Sequence, residues 1–207
     1  MLSLNEEIAL YESGYNRVAG IDEAGRGPLA GPVIAAAVVL PCKMNYALWM
    51  ERVDDSKKLT SGQRDDLFKY ICDIAVSFGV GISDSVTIDL LGITRATRLA
   101  MEQAVAQLNP PPEFLLIDYV KLPECPISQK NITHGDSLCF SIACASIVAK
   151  VCRDRIMDEM DILYPGYNFT DHKGYGTREH LERLRKLGPC PIHRYSFQPV
   201  KDMINGT

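Results

Sequence analysis

Two apolar runs separated by a glycine-rich turn lie near the start of the chain. Residues 18–21 and 32–40 each predict a short buried strand, because no polar side chain interrupts either run. The turn between them, residues 25–31, contains three glycines and a proline, which favour a tight backbone with exposed N–H groups. The pattern therefore predicts a sheet with an open turn at its edge.

Asp22 and Glu23 stand where the first predicted strand gives way to this turn. Side chains alternate along a strand, so only one of the two carboxylates can face a given site if the extended backbone continues. We expect Asp22 to be the ligand, with Glu23 contributing through a bend in the strand or through its backbone carbonyl. Taken alone, the segment is equally compatible with an acidic turn of no special function.

Length and composition predict one large domain over residues 1–207. Hydrophobic residues at 46% and charged residues at 23% are ordinary for a globular protein, and a net charge of −4 excludes a uniformly basic nucleic-acid binder. Seven cysteines without a Cys-x-x-Cys pair do not suit a disulfide framework and favour a reducing cytosol. The N-terminus lacks the pattern of a signal peptide, and the longest nearly uncharged stretch, residues 137–149, is too short to span a bilayer.

Two further carboxylates follow or precede predicted elements. Residues 114–117 predict a short buried strand with Asp118 at its carboxyl end, the edge where α/β sheets usually build their sites. Asp136 directly precedes a long helix predicted over residues 137–163, whose first half is apolar nearly all round. Each position also has an ordinary explanation, because Asp118 can simply end a strand and Asp136 can cap a helix. The remaining predicted elements are a strand at 75–82 and helices at 61–74, 85–92, 94–108 and 177–187.

Together these side chains make an acidic cluster without the His or Cys ligands that zinc prefers. Oxygen ligands suit Mg²⁺ or Mn²⁺, which hold few protein carboxylates and complete their shells with water and phosphate oxygens. Two such ions about 3.5–4 Å apart can position an attacking water and stabilise the leaving oxygen of a phosphodiester. The cluster is therefore compatible with a two-metal site.

Seven motifs occur in an order that makes accidental similarity very improbable. They are Gly-Ile-Asp-Glu-Ala-Gly-Arg-Gly-Pro at 20–28, Asp-Ser-Lys-Lys-Leu at 55–59, Gly-Asp at 135–136, Ala-Ser-Ile-Val-Ala-Lys-Val at 145–151, Arg-Asp-Arg at 153–155, His-Lys-Gly-Tyr-Gly-Thr at 172–177 and His-Arg-Tyr-Ser-Phe at 193–197. With them the chain resembles ribonuclease HII, the type 2 ribonuclease H family, over residues 18–199. The resemblance implies an α/β, ribonuclease H-like fold, with a mixed sheet flanked by helices and a helical C-terminal part.

The resemblance also implies an activity and a setting. The expected enzyme is a metal-dependent endonuclease that cleaves RNA in RNA/DNA hybrids and at single ribonucleotides embedded in duplex DNA. Cleavage is expected on the 5′ side of the ribonucleotide, leaving 3′-OH and 5′-phosphate ends, in ribonucleotide excision and RNA primer removal. We expect a cytoplasmic monomer with Mg²⁺ or Mn²⁺ as its cofactor and no membrane partner.

Residue by residue, Asp22, Glu23, Asp118 and Asp136 match the four metal-site carboxylates of the family. The chain departs from the family pattern after the third of these, where Tyr119 stands in place of the expected glycine. Asp154 is the alternative for the fourth carboxylate. Its predicted place on a helix, near Lys150 and Arg153, favours a structural ion pair instead.

The same resemblance assigns the substrate contacts. Gly25, Arg26 and Gly27 match a loop that recognises the ribose 2′-hydroxyl at an RNA–DNA junction, and glycines let backbone groups come close enough to bond it. Tyr175 matches the tyrosine that stacks on the following deoxyribose and also touches the 2′-hydroxyl. Without the flanking glycines, a half-buried loop tyrosine would be the preferred interpretation. A contact with a backbone phosphate is implied for three residues of the second motif, Ser56, Lys57 and Lys58.

Three other interpretations compete with this one. A small-molecule phosphohydrolase could use Asp22 as a nucleophile, but it would want a second Asp where Ala24 stands. A non-catalytic nucleic-acid binding module could keep the same fold, but retention of all four carboxylates argues against it. A type 3 ribonuclease H carries an extra N-terminal substrate-binding domain, whereas 17 residues precede Val18 here.

Overall fold

A mixed sheet of five strands forms the centre of the described structure. The computed structural model describes residues 2–43, 47–54, 56 and 59–205. The strands are β1 (Val18–Ala24), β2 (Val33–Val39), β3 (Ser77–Ser83), β4 (Phe114–Asp118) and β5 (Ser128–Ile132), and their order in the sheet is β3-β2-β1-β4-β5. Strands β1, β2 and β3 pair antiparallel, whereas β4 runs parallel to both β1 and β5. The predicted fold class is confirmed.

Helices cover both faces of the sheet and form the C-terminal part. They are α1 (Asn5–Glu12), α2 (Ser61–Ile74), α3 (Ser85–Leu91), α4 (Ile93–Ala106), α5 (Gly135–Leu138), α6 (Phe140–Leu163), α7 (Phe169–His172), α8 (Arg178–Leu187) and α9 (Val200–Asn205), with one turn of 3₁₀ helix at Leu48–Arg52. Among the described residues, none of the helices has the length and apolar character needed to cross a membrane.

Alternation along β2 divides the core between the two faces of the sheet. Its even-numbered residues 34–38 pack in a cluster with α6, and its odd-numbered residues 35–39 pack in a cluster with α4. On β1, a Cβ atom at Gly20 would come within 2.5 Å of the backbone nitrogen of Ile142. Glycine therefore lets the backbone of α6 rest directly on the strand that carries Asp22.

Strand β3 forms one edge of the sheet, and two side chains of α4 bond to its backbone. Gln107 accepts a 3.3 Å hydrogen bond from the N–H of Val80 and donates a 2.7 Å bond to the Val80 carbonyl. Gln103 accepts a 2.9 Å bond from the N–H of Ile82. Side chains of α4 thus form hydrogen bonds with backbone groups of the edge strand β3.

The helix predicted over residues 61–74 is confirmed by α2. Thr60 and Gln63 form a capping box at its start, and buried Leu67 and Ile71 face the core. Strand β3 starts two residues later than predicted, at Ser77. Three helices, α1, α7 and α9, and the edge strand β5 were not predicted, because apolar residues do not recur in these segments at the regular spacing of a helix or a strand.

The long helix predicted over residues 137–163 is confirmed from residue 140 onward as α6, but its predicted start was wrong. Cys139 has an extended backbone, with φ −117° and ψ 125°, and it divides the segment into α5 and α6. The cause is tertiary: the buried Glu7 carboxylate accepts a 2.7 Å hydrogen bond from the N–H of Ser141 and a 3.1 Å bond from the Cys139 thiol. Helix α1 therefore supplies the group that satisfies the start of α6.

Candidate active site

Asp22 and Glu23 lie inside strand β1, which continues through Ala24. The expectation that the strand ends before these carboxylates was wrong, because both remain paired with β2. Alternation directs Asp22 towards α6, where it is 4% exposed and its carboxylate accepts a hydrogen bond from the Ser146 hydroxyl. Glu23 instead lies beside Arg26, with 3.3 Å between its Oε1 and Nη1 of the guanidinium. The two carboxylates thus have different neighbours.

Asp118 lies next to Asp22 through the parallel pairing of β1 and β4. The residues immediately before them are a registered pair, so the two carboxylates stand side by side on adjacent strands, with Asp118 at the end of β4 and Asp22 two residues before the end of β1. Oδ1 of Asp118 accepts a 2.7 Å hydrogen bond from the N–H of Gly135, the first residue of α5. This bond draws Asp136, which is 6% exposed, to the same edge of the sheet. The structure therefore brings the four predicted carboxylates to one region.

Two residues with left-handed backbones flank this region. Tyr119, directly after Asp118, has φ 51°, and His134, directly before α5, has φ 58°. Glycine adopts this conformation with less strain than either residue, which is the physical reason to expect glycine at position 119. The tyrosine ring is 65% exposed.

Burial raises the pKa of the Asp22 carboxyl well above its ordinary value of 3.8. The negative charge of Glu23 raises this pKa further, as does that of Asp118, whereas the hydrogen bond from Ser146 lowers it. These contributions identify a buried position where several carboxylates repel one another. A bound cation is one way to relieve that repulsion.

The donor set fits a hard divalent cation. In the described ranges, no three His, Cys, Asp or Glu side chains already surround a common metal position. Mg²⁺ and Mn²⁺ do not require such a closed shell, because they are held by a few carboxylates and complete their coordination with water and substrate oxygens. The all-oxygen character of the cluster and its mutual repulsion suit these ions better than zinc.

Tyr175 lies against the glycine loop, which we define as residues 25–32. A Cβ atom at Gly27 would be 3.9 Å from Cε1 of the Tyr175 ring, which is 43% exposed. The tyrosine turn, residues 172–177, is joined to the loop by a 2.8 Å hydrogen bond from the N–H of Leu29 to the Gly174 carbonyl. Gly174 has φ 81°, and a Cβ there would come within 2.5 Å of the Ala30 oxygen. The predicted substrate residues on the two segments thus lie together.

The second motif is only partly within the described residues. Ser56 is buried, and its hydroxyl lies 3.0 Å from that of Ser146. A phosphate contact by Ser56 would therefore have to use its backbone. The predicted contacts of Lys57 and Lys58 lie outside the described residues.

Asp154 belongs to an ion-pair network. It lies 2.6 Å from Nζ of Lys150 and 3.2 Å from Nη2 of Arg64. The predicted ion pair with Lys150 is confirmed, whereas the second cation is Arg64 and not Arg153, which bonds backbone carbonyls. Asp154 is thus engaged by one cation of its own helix and one of α2, and the place of Asp136 as the fourth site carboxylate stays a prediction.

Two buried arginines near the loop were not predicted as part of the site. Arg153 donates hydrogen bonds to the carbonyls of Pro32 at 3.0 Å and Lys173 at 2.9 Å, and so bridges the glycine loop and the tyrosine turn. Arg194 donates to four carbonyls of the glycine loop. Both residues fall within motifs of the sequence, but a charge pattern alone suggests a solvated arginine and does not reveal carbonyl partners.

A mixed sheet with acidic side chains on two adjacent strands, β1 and β4, near their carboxyl ends is the architecture expected of the ribonuclease H class. The family model described as Ribonuclease HII matches residues 19–200 of the chain. A Ribonuclease HII of Dehalococcoides mccartyi (strain ATCC BAA-2266 / KCTC 15142 / 195) is 54% identical over 200 residues, covering 97% of this chain and 94% of that protein. The chain belongs to the ribonuclease HII family of endoribonucleases.

Solved structures agree with the fold. The ribonuclease H2 from Pyrococcus horikoshii OT3 superposes with a TM-score of 0.76 at 25% identity, covering 92% of this chain and 98% of that one. The structure of Bst-RNase HIII in complex with Mn²⁺ gives a TM-score of 0.65 at 20% identity, over 95% of this chain and 72% of that one. The second likeness concerns the fold alone.

Proposed function

We propose that this protein cleaves the ribonucleotide-containing strand of RNA/DNA hybrids and of DNA duplexes with single embedded ribonucleotides. Hydrolysis occurs on the 5′ side of the ribonucleotide and leaves 3′-OH and 5′-phosphate ends. The observation that carries the proposal is that the carboxylates of Asp22 and Asp118 stand side by side on two adjacent strands, beside a loop that contacts Tyr175. One site thus combines groups for phosphodiester chemistry with groups that can distinguish a sugar.

Four carboxylates, those of Asp22, Glu23, Asp118 and Asp136, are proposed to hold two Mg²⁺ or Mn²⁺ ions. When bound, such ions supply an activated water and stabilise the leaving oxygen of a phosphodiester. Asp22 is the central ligand, because its buried carboxylate is oriented by Ser146 and repelled by its acidic neighbours. Gly135 orients Asp118 through the hydrogen bond to Oδ1.

Discrimination between RNA and DNA is assigned to the glycine loop and Tyr175. The phosphodiester is common to both nucleic acids, so a metal site does not by itself distinguish them, whereas the 2′-hydroxyl does. The carbonyls of Gly25 and Arg26 accept hydrogen bonds from Arg194, so the N–H groups of Gly25, Arg26 and Gly27 are proposed to face the substrate. Tyr175 offers an exposed ring on which a sugar can pack. Ser56, Lys57 and Lys58 are proposed to contact a backbone phosphate, which positions the duplex without reading its sequence.

The proposed setting follows from the family. We propose a single catalytic domain over residues 1–207 that acts as a monomer in the cytoplasm. Its roles there are ribonucleotide excision and removal of RNA primers during DNA repair and replication.

The decisive experiment uses a DNA duplex with one embedded ribonucleotide, incubated with Mg²⁺, Mn²⁺ or EDTA. We expect cleavage with either metal and none with EDTA. Asp22→Asn removes one ligand charge, so it should abolish cleavage while duplex binding persists, because phosphate contacts supply most of the affinity.

Asp154→Asn is the matched control, because it makes the same change in a carboxylate held by Lys150 and Arg64. We expect it to cleave like the wild type. Cleavage by Asp22→Asn within about tenfold of the wild-type kcat/KM would remove Asp22 from the proposed metal site.

A further inference from the structure

The clamp segment, residues 190–194, joins the two elements to which substrate discrimination is assigned. The N–H of Arg194 donates a 2.8 Å hydrogen bond to the Leu29 carbonyl, and the Ile192 carbonyl accepts a 2.8 Å bond from the N–H of Gly31. This pairing lays the segment along the glycine loop. Within it, His193 and Arg194 are both buried, with exposed fractions of 1% and 0%.

Arg194 gathers the carbonyls of the glycine loop around one guanidinium. Its Nη2 donates to Gly25 at 2.5 Å, and its Nη1 donates to Arg26 at 2.9 Å and to Pro28 at 2.8 Å. Its Nε donates to Gly31 at 3.0 Å. Burial, together with the positive charge of Arg153, lowers the pKa of Arg194 to about 9, so the guanidinium is still protonated at neutral pH. Four carbonyl dipoles therefore converge on one retained positive charge.

His193 reaches the tyrosine turn through His180. Nδ1 of His180 lies 2.9 Å from the Tyr175 carbonyl, and Nε2 of His180 lies 3.1 Å from Nε2 of His193. A carbonyl only accepts, so His180 carries its proton on Nδ1 and accepts at Nε2. With this tautomer of His180, His193 donates from Nε2, and its Nδ1 accepts the 3.0 Å bond from the N–H of Cys190, although the Cys190 carbonyl oxygen also lies 3.2 Å away. These hydrogen bonds thus link His193 to the Tyr175 carbonyl through His180.

Two consecutive residues of the clamp segment therefore hold different parts of the site: Arg194 bonds the glycine loop, and His193 connects to the tyrosine turn. We propose that Arg194 and His193 are positioning residues that hold the glycine loop and Tyr175 in a single relative geometry, so that both engage the same ribonucleotide. Arg194 fixes the position of the loop by donating hydrogen bonds to the loop carbonyls. His193 fixes the position of Tyr175 through His180. The inference rests on the proposed function, in which the loop and Tyr175 recognise the ribonucleotide. Small displacements of such groups are costly, since a misplacement of about 1 Å can lower a rate by about 100-fold.

The test measures selectivity apart from cleavage. Dissociation constants are determined in EDTA for a duplex with one ribonucleotide and for the all-DNA duplex of the same sequence, and kcat/KM is measured with Mg²⁺ on the first duplex. Arg194→Lys keeps the charge, but one ammonium cannot reach four carbonyls, so we expect the ratio of the two dissociation constants to fall about tenfold. Tyr175→Ala serves as the reference for complete loss of the ring.

A pair of variants at position 193 keeps the test decisive if Arg194→Lys fails to fold. His193→Gln retains an N–H donor near the Nε2 position, whereas His193→Phe retains the ring shape and loses the donor. We expect His193→Phe to lose selectivity and His193→Gln to stay within about threefold of the wild type. Leu184→Ala is the control for destabilisation, because the Leu184 side chain is buried in the hydrophobic cluster that includes Leu29 and Cys190 but forms no hydrogen bond to the loop or to Tyr175. It should lower the unfolding midpoint and leave selectivity unchanged.

The outcomes separate the two proposals. A wild-type protein that neither prefers nor cleaves the ribonucleotide duplex contradicts the proposed function. If the wild type is selective and folded His193→Phe and Arg194→Lys are equally selective, the positioning role is overturned. Loss of selectivity in Leu184→Ala as well would also overturn it, since general loosening of the cluster would then be sufficient.

Discussion

Tyr175 offers the substrate an aromatic ring and a hydroxyl, and the two can be removed separately. Tyr175→Phe removes only the hydroxyl, whereas Tyr175→Ala also removes the stacking surface beside Gly27. Stacking of this kind contributes about 1–3 kcal/mol, so kcat/KM on a single-ribonucleotide duplex should fall at least about tenfold more for Ala than for Phe. Kinetics on that duplex and on a uniform RNA/DNA hybrid check this expectation. Wild-type rates for both variants would contradict a role for Tyr175 at the junction.

Tyr119 occupies a backbone conformation that favours glycine, with φ 51°. A left-handed residue with a Cβ atom costs about 1–2 kcal/mol relative to its ordinary conformation. We therefore expect Tyr119→Gly to raise the free energy of unfolding by about 1 kcal/mol, after the larger entropy loss of glycine is included.

Urea denaturation measures this change, and Tyr119→Ala is the matched control. Alanine also removes the exposed ring but keeps the Cβ atom, so it should bring no gain in stability. Equal stability of the glycine and alanine variants would show that the backbone at position 119 is not strained.

At the scale of the elements, the contact between α6 and β1 depends on the absence of a side chain at Gly20. A Cβ there would come within 2.5 Å of the Ile142 nitrogen, and backbone atoms of a buried helix have little room to move. We expect Gly20→Ala to lower the free energy of unfolding by about 1–3 kcal/mol, the usual effect of overpacking a core.

Gly62→Ala provides a control for which the change in the free energy of unfolding is not expected to be a loss. Gly62 lies in the first turn of α2, and a Cβ there meets nothing within 4 Å. Gly62→Ala should therefore be neutral or stabilise the fold by up to about 1 kcal/mol. Chemical denaturation of both variants measures the difference, and a Gly20→Ala protein as stable as the wild type would contradict the close packing.

Elements were predictable from the sequence where local signals determine them. Helix α2 follows its own cap at Thr60 and its own apolar spacing, so both of its ends were predicted correctly. The break at Cys139 depends on Glu7, which is 132 residues away in the chain, and no local pattern reports it. For the same reason, strand β1 was predicted too short: acidic residues suggest a turn, but pairing with β2 keeps them extended.

At the scale of the whole molecule, the candidate site gathers segments from across the chain. Motif resemblance predicted its carboxylates and its loop, and their roles stay predictions. The environment of each side chain was not predictable, because it depends on contacts between distant segments. Ser56 faces Ser146, and Arg194 faces the carbonyls of the glycine loop, although either residue would be expected at the surface on composition alone.

The histidine cluster, formed by the buried residues His180 and His193, makes the stability of the fold depend on pH. Burial lowers the pKa of His180 to about 4, and it does the same for His193, from an ordinary value of 6.5. The unfolded chain therefore takes up protons near pH 6.5 that the folded protein does not accept until about pH 4. Stability is complete above pH 6.5 and falls as the pH is lowered towards 4.

Urea midpoints between about pH 7 and pH 5 measure this loss. Asp22→Asn is the best background, because the raised pKa of Asp22 acts in the opposite direction and favours the folded state as pH falls. In this background His134→Asn replaces an exposed histidine outside the cluster. This variant should show the same change of urea midpoint with pH as the background protein. A midpoint that does not change with pH would show that the buried histidines are not held neutral.

The bonds from Gln103 and Gln107 to strand β3 have a consequence for molecules in a crowded solution. An outer strand with unoccupied amides can recruit a strand from another copy and start a growing fibril. Here the two glutamines already bind the Val80 and Ile82 backbone that such a strand would need. These bonds hinder pairing of another strand at this edge of the sheet. Without them, the exposed apolar side chains of Phe78 and Ile82 would favour such pairing with a strand of another molecule.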